Sequence, residues 1–273
     1  MLMGKKAGGF KGGFNLLDAY PLKFCNIVED ISSDGTPETF HFPVPTQKVE
    51  HVIVNLCPTE PWALPNWVIL RHKTTAFLSV LKEIKNSHFS SARFYIAINE
   101  KEDRTVADAK NFACNEDWMS VFPLYAKYPQ DDPVILTKVI LGMDVHFGQD
   151  TESLGVLILD AQTVSSIYES CILRKNVNSR FIVLSGTGLK ENEILNVQLG
   201  TSIGKILKNK SKEVGRYRVF INGPLRGQEI TDLSQKTDWS INHIVVLEEK
   251  DRKVILPMIK PDELVLTTNV LGE

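Results

Sequence analysis

HVIVNL at 51–56, helical spacing from Trp67 to Lys85, and ARFYIAIN at 92–99 are the pieces whose reading decides the fold. The first is a short apolar run closed by turn-forming residues, as a strand buried in a parallel sheet requires. Pro58, Pro61 and Pro65 then forbid helix until about Asn66, which is placed to cap the next segment. Val68, Ile69, Ala76, Phe77, Val80, Leu81 and Ile84 recur with helical period, so the spacing predicts a helix to Lys85. Strand, helix and strand make a βαβ unit. With short loops and a right-handed crossover, it implies an open α/β layer with helices packed on a parallel sheet.

Working outward, GVLILD at 155–160 reads as a further strand, and AQTVSSIYESCILR after it as a helix with Val164, Ile167, Tyr168 and Cys171 on one face. Beyond Asn178 the pattern changes. RFIVLSG, ILNVQLG, RYRVFING and HIVVLEE alternate as strands with one short helix, about Ser202 to Lys208, between them, and this order predicts a small mixed sheet of the β-grasp kind. Residues 1–48 read as an arm, with glycines at Gly4, Gly8, Gly9, Gly12 and Gly13 and a punctuated stretch, SSDGTPETFHFPVP. The expected organisation is an arm over 1–48, an α/β domain over 49–178, a β-grasp domain over 179–250 and a tail over 251–273.

Composition narrows the function. The 273 residues carry a net charge of −2, so there is no basic excess to release counterions from a phosphate backbone, and nucleic acid is not expected as a partner. Cys25, Cys57, Cys114 and Cys171 never form C-x-x-C, which leaves no local frame for zinc or an iron–sulfur cluster, and buried free thiols are the expectation. No apolar stretch follows the lysines of MLMGKKAGGF, and no run reaches the ~18 residues of a membrane span, so membrane association is expected only through a partner. The six histidines show no ligand spacing; His72 reads as interfacial, and no metal site is expected.

Several segments, in order, resemble one family: the C subunit of the Rnf electron-transport complex, with the A subunit of the sodium-pumping NADH:quinone oxidoreductase and the NADH-oxidising flavoprotein of respiratory complex I. FKGGF at 10–14 is similar to an F-K-G-G-I-H-P opening, VIVNLCPTEP at 52–61 to V-I-x-N-A-A-E-C-E-P, and KYPQ at 127–130 to K-Y-P-Q-G. LGVLILDAQTVSSIYE at 154–169 resembles V-G-V-V-V-x-N-V-G-T-A-x-A-I-Y-E. VLSGTGL and LNVQLGTSIGKIL within 183–207, with INGPLRG at 221–227, resemble motifs of the family's SLBB β-grasp domain. The resemblance implies a Rossmann-like, complex I flavoprotein-type α/β domain followed by that β-grasp domain.

It also implies a site. Asn55, Glu60, Lys127, Tyr128 and Thr163 stand where the family's motifs hold a flavin or nucleotide, and Gly12 and Gly13 belong either to the structural F-K-G-G opening or to a phosphate loop. The departures are as informative. Where the family has G-L-G-G-A-G-F-P this chain reads DGTPETFHFPVP, with Gly35 alone; an acidic residue and a Cys of the loop have become Pro58 and Thr59; and an Asn and a Gly have become Asp160 and Gln162. A carboxylate at Asp160 repels a phosphate unless a cation stands between. The family's C-x-x-C-x-x-C domains do not follow the β-grasp segment, so no iron–sulfur cluster is expected.

Each of these residues also has a plainer reading. Glu60 is either a ligand carboxylate at the strand ends, a solvated loop charge or a helix N-terminal partner; Lys127 and Tyr128 either touch a nucleotide or pack; Arg226 either binds an anion or sits in a tight turn; Trp62 and Trp67 either anchor a partner or cover a sheet. Three functions stay open: a docking or scaffolding subunit of an Rnf- or Nqr-like complex without a cofactor, cytoplasmic and peripheral to the inner membrane; an NADH-linked flavoprotein oxidoreductase holding FMN or NADH; and a stand-alone SLBB ligand-binding module.

Overall fold

The computed structural model describes residues 27–35, 40, 45, 47–63, 69–70, 74–212 and 216–249. Gly12, Gly13, Asn66, Trp67 and His72 lie outside them, as does the tail from 250 onward. The α/β layer has four parallel strands, β2 (His51–Leu56), β3 (Arg93–Asn99), β4 (Met119–Leu124) and β5 (Val156–Asp160), in the order β4-β3-β2-β5.

Alternation along β2 explains the layering. Val52, Val54 and Leu56 face one side and meet Phe77, Leu78, Leu81 and Ile84 of α1 (Thr74–His88), with Ala109 of α2 (Asp103–Ala113) and Val164 and Ile167 of α4 (Ala161–Ile167). Ile53 faces the other side. There it packs with Leu136 and Ile140 of α3 (Pro133–Leu141). The first helix runs three residues past the predicted Lys85, to His88.

Two elements differ from the sequence reading. The helix after β5 gives way at Tyr168–Ile172 to a π-helical turn, which puts Cys171 at the surface and leaves Val164 and Ile167 to fill the core. Cys114 is also exposed, so of the thiols described only Cys57 is buried, where burial pushes it up to about 12. The described thiols are free, but among them the expectation of burial holds for Cys57 alone; Cys25 lies outside the described residues.

The second sheet has the order β1-β7-β6-β10-β8-β9, from β1 (Ile27–Ile31), β6 (Ser179–Ser185), β7 (Glu193–Gln198), β8 (Tyr217–Ile221), β9 (Gln228–Ile230) and β10 (His243–Glu248). Taken from β6 onward this is the 2-1-5-3-4 order of a β-grasp sheet, with α5 (Ile203–Leu207) as its short helix. Ile182, Leu184, Leu195, Ile203, Ile206 and Ile244 fill its core. The second difference is β1, which the sequence reading leaves within the arm. It adds to the outside of β7 in parallel, so the N-terminal segment contributes a strand as well as a cover.

The sheets meet through the proline loop after β2. Trp62 is 2% exposed and packs with Phe220, Val245 and Leu247 on the outer face of β8 and β10. It therefore covers a sheet rather than standing free as a partner anchor. Its backbone takes φ 61°, a left-handed conformation unusual for so large a residue, held here by burial of the ring.

Candidate functional site at the junction of the sheets

In the order β4-β3-β2-β5 the chain first grows outward from β2 through β3 to β4 and then returns to β2's other side as β5. The ends of β2 and β5 are thus a topological switch point, where open α/β sheets form a crevice. Asn55 and Asp160 are register partners at those two ends. A cavity of about 470 Å³ opens there, walled by Pro58, Ala63, Ile69 and Ile158 and closed from the second sheet by Asn242 and His243.

Asn55 shapes the exit from β2, its side-chain oxygen accepting from the Cys57 amide at 2.9 Å. This turn directs the loop toward the second sheet. Glu60, 6% exposed, enters the turn at 222–227, where its Oε1 accepts from the amides of Leu225 (2.8 Å) and Arg226 (3.3 Å) and its Oε2 lies 3.4 Å from Arg226 Nε. It is neither a solvated charge nor a helix N-terminal partner. Burial outweighs these bonds and holds its carboxyl above the ordinary value.

Arg226 reaches further. Its Nη2 donates to Asp131 at 2.7 Å, and its guanidinium lies 5.6 Å from the centre of the Tyr128 ring. Asp131 also accepts from the Thr59 amide at 2.9 Å and from the Thr59 hydroxyl. Burial alone lowers the Arg226 pKa, but Asp131 and Glu60 more than offset it, and the guanidinium stays charged. In NGPLRG the glycines make the turn, and the arginine is paired with the chain's own carboxylates.

Gly223 is indispensable to this clasp. Its φ is 101°, and a Cβ placed on it would come 2.2 Å from Glu60 Oε1. Gly223→Ala is expected to cost about 1–3 kcal/mol in backbone strain alone, read as a lower urea midpoint; an unchanged midpoint would mean that the carboxylate does not sit in the turn.

The N-termini facing the cavity are closed in the same way. Asp132 caps α3, accepting from the amides of Val134 (2.9 Å) and Ile135 (3.4 Å), with Pro133 at the first helical position. Asp160 accepts from the Thr163 amide at 2.6 Å, so what Thr163 contributes is a backbone N–H already engaged. The cation that Asp160 calls for is Arg180, 3% exposed, with Nη2 at 3.2 Å. Lys127 is exposed, and neither it nor Tyr128 lines the cavity, although Tyr128 touches it indirectly through Arg226.

The structure thus brings Asn55 and Glu60 to one crevice, with Thr163 bonded to its rim through Asp160 and Tyr128 behind Arg226. Asp131, Asp132 and His243 join them there, and Arg180 stands against Asp160, without having been singled out by the sequence. Asp132 carries a readable signal, an acidic residue directly before Pro133 at a helix start. Arg180 and His243 carry none. His243 is 5% exposed, neither ring nitrogen has a hydrogen-bond partner, and burial followed by the charge of Arg226 pushes it down to about 4. Among the described residues no group of three or more His, Cys, Asp or Glu side chains is arranged to hold a metal.

Comparison with known proteins agrees with this architecture. Residues 36–169 match the Nuo51 FMN-binding domain family. The C subunit of the ion-translocating oxidoreductase complex of Haemophilus influenzae (strain PittEE) is 23% identical over 197 residues, 72% of this chain and 30% of the relative. The C subunit of the Na(+)-translocating ferredoxin:NAD(+) oxidoreductase complex of Acetobacterium woodii is 24% identical over 218 residues, 78% of this chain and 48% of the relative. The chain thus spans between about a third and a half of these two relatives. A crystal structure of NAD+-reducing [NiFe]-hydrogenase in the H2-reduced state superposes with a TM-score of 0.58 at 11% identity, covering 77% of this chain and 42% of that one, and shares the fold.

The FMN that the matched domain is named for carries a phosphate, and the described lining does not suit it. The amides of Val134, Ile135, Thr163, Leu225 and Arg226 already donate to carboxylates, and both arginines pair with acidic partners, although Arg180 Nη1 is left without a hydrogen-bond partner. With an open α/β layer joined to a β-grasp sheet, and collinear similarity over 72% and 78% of its length, the chain is similar to the C subunits of these two ion-translocating oxidoreductase complexes.

Proposed function

We propose that the chain is a peripheral subunit of an Rnf- or Nqr-like membrane electron-transport complex, acting in docking or scaffolding without a tightly held flavin. The reading is supported by one observation: at the switch point the amides of Leu225, Val134 and Thr163 are engaged by Glu60, Asp132 and Asp160, which leaves these three unavailable to a phosphate. Among the described residues no helix is long and apolar enough to cross a membrane, so attachment would run through partner subunits on the cytoplasmic side of the inner membrane. Purified with its neighbours from its host, the protein is expected to co-isolate with integral membrane redox subunits and, once separated, to show no flavin absorbance.

A second reading is favoured by the match over 36–169 and by the cavity at the strand ends: an NADH-linked flavoprotein oxidoreductase that holds FMN or NADH there. Flavin in stoichiometric amount, with NADH-dependent reduction of a dye, would establish it in place of the first.

A further inference from the structure

A helix on the surface of an α/β layer is apolar along one stripe and polar along the other. α3 is not. Its buried side is Leu136, Thr137 and Ile140, and its outward side carries Val134, Ile135, Lys138 and Val139. Val134 is 45% exposed and Val139 51%, whereas the buried Thr137 turns its hydroxyl to the Pro133 carbonyl at 2.8 Å. A helix that is apolar all round is stable with cover on every side, and the sheet covers only one side of this one.

The chain after α3 adds an aromatic ring. Phe147 stands wholly exposed on a turn closed by its neighbours, the Gln149 amide donating to the His146 carbonyl at 3.0 Å and the His146 amide to Gln149 Oε1 at 3.3 Å. Of the seven large apolar side chains exposed among the described residues, five, Tyr125, Tyr128, Val134, Val139 and Phe147, fall in and beside α3. Scattered apolar residues need no explanation, but a single stretch that holds most of them marks a contact surface.

Charge selects the kind of partner. Across 134–152 the exposed carboxylates of Asp144, Asp150 and Glu152 stand against one lysine or arginine, Lys138, which Asp144 already holds at 2.6 Å. This excess repels an anionic membrane surface, and a second copy of the chain would set it against itself. We infer that α3 and the turn at 146–149 receive a helix of a partner subunit, apolar on the side it lays down and basic along its borders. The inference rests on the docking reading and gives that reading its surface, with Phe147 as the anchor.

The parent and its variants are compared by how much of the integral membrane redox subunits each co-isolates from the host. Val139→Lys and Val139→Glu are first checked for an unchanged urea midpoint. The lysine is expected to cut recovery at least about tenfold and the glutamate less, because a basic border repels one and accepts the other. Phe147→Ser, on an exposed turn, is expected to cost at least about tenfold with folding intact. A photo-crosslinking residue at position 147 is expected to capture a peptide with lysine or arginine beside apolar residues at helical spacing. Full recovery by Val139→Lys and Phe147→Ser overturns the proposal, and so does a glutamate that releases as much as the lysine. A crosslink to any other peptide, this chain's own included, or to none, also overturns it. In each case a parent that still co-isolates leaves the docking reading standing, whereas a parent that recovers no membrane subunit sinks both.

Discussion

Replacing Arg226 by alanine is expected to destabilise the protein by about 3–5 kcal/mol, the cost of stranding a buried acidic partner. Arg226 faces Glu60, 6% exposed, and Asp131, 9% exposed, and the lysines and arginines of the described residues supply no second cation to either. Arg226→Lys keeps a charge but loses the fork that reaches both carboxylates, so it should fall between the alanine variant and the parent. Urea unfolding followed by tryptophan fluorescence gives the values. A cycle combining Arg226→Ala with Glu60→Gln should show the two changes costing less together than their sum, since the second removes the charge that the first leaves stranded. Additive losses, or a loss below about 1 kcal/mol for Arg226→Ala, would show that the clasp does not join the sheets in solution.

The second large effect is acid sensitivity through His243. With the folded value pushed down to about 4 from an ordinary 6.5, the unfolded chain takes up a proton between those values that the folded chain refuses. Stability from this group is complete above pH 6.5 and is lost as the pH falls toward 4, by about 3 kcal/mol in all. Glu60 works in the opposite direction, because its raised carboxyl value lets the folded state bind a proton earlier than the unfolded one. The clean readout is the difference between the parent and His243→Leu, which should be flat above pH 6.5 and grow below it. A difference that does not change with pH would mean that the ring is solvated.

Much of the framework is legible because burial dictates composition. HVIVNL, ARFYIAIN and GVLILD are strands with helices on both faces of their sheet, and the positions buried along them are filled by apolar residues. The elements between them give weaker signals. β4 lies at the sheet edge, is half exposed along much of its length and contains Pro123, so its pattern is that of a loop. α2 buries Ala109 alone, which leaves no stripe to detect, whereas α3 is apolar almost throughout and shows no period. β9 is three residues long, too short for an alternation.

The site is legible in its positions and not in its chemistry. The loop after β2 and the start of α4 stand out in the sequence as places for a ligand, and Asp160 as a carboxylate in need of a cation. That the cation is Arg180, twenty residues on and across the junction, depends on how two sheets pack, which no local spacing encodes. Glu60 and Arg226 are 166 residues apart, and each alone looks like a surface charge. Only their shared burial turns them into a clasp, and burial of a charged group is invisible until its partner is known.

The N-terminal segment has a consequence for how the chain can be divided. β1 is stitched to β7, Asp34 holds the amide and hydroxyl of Ser202, and a few residues later Phe40 bonds to Val177 and lays its ring 4.2 Å from Trp239. A fragment cut to begin at β6 would bare the flank of β7, a ladder of unanswered amides and carbonyls ready to template against a sister fragment. Such a piece should self-associate into mixed oligomers on sizing columns, and a synthetic peptide covering residues 27–35 should return it to single file.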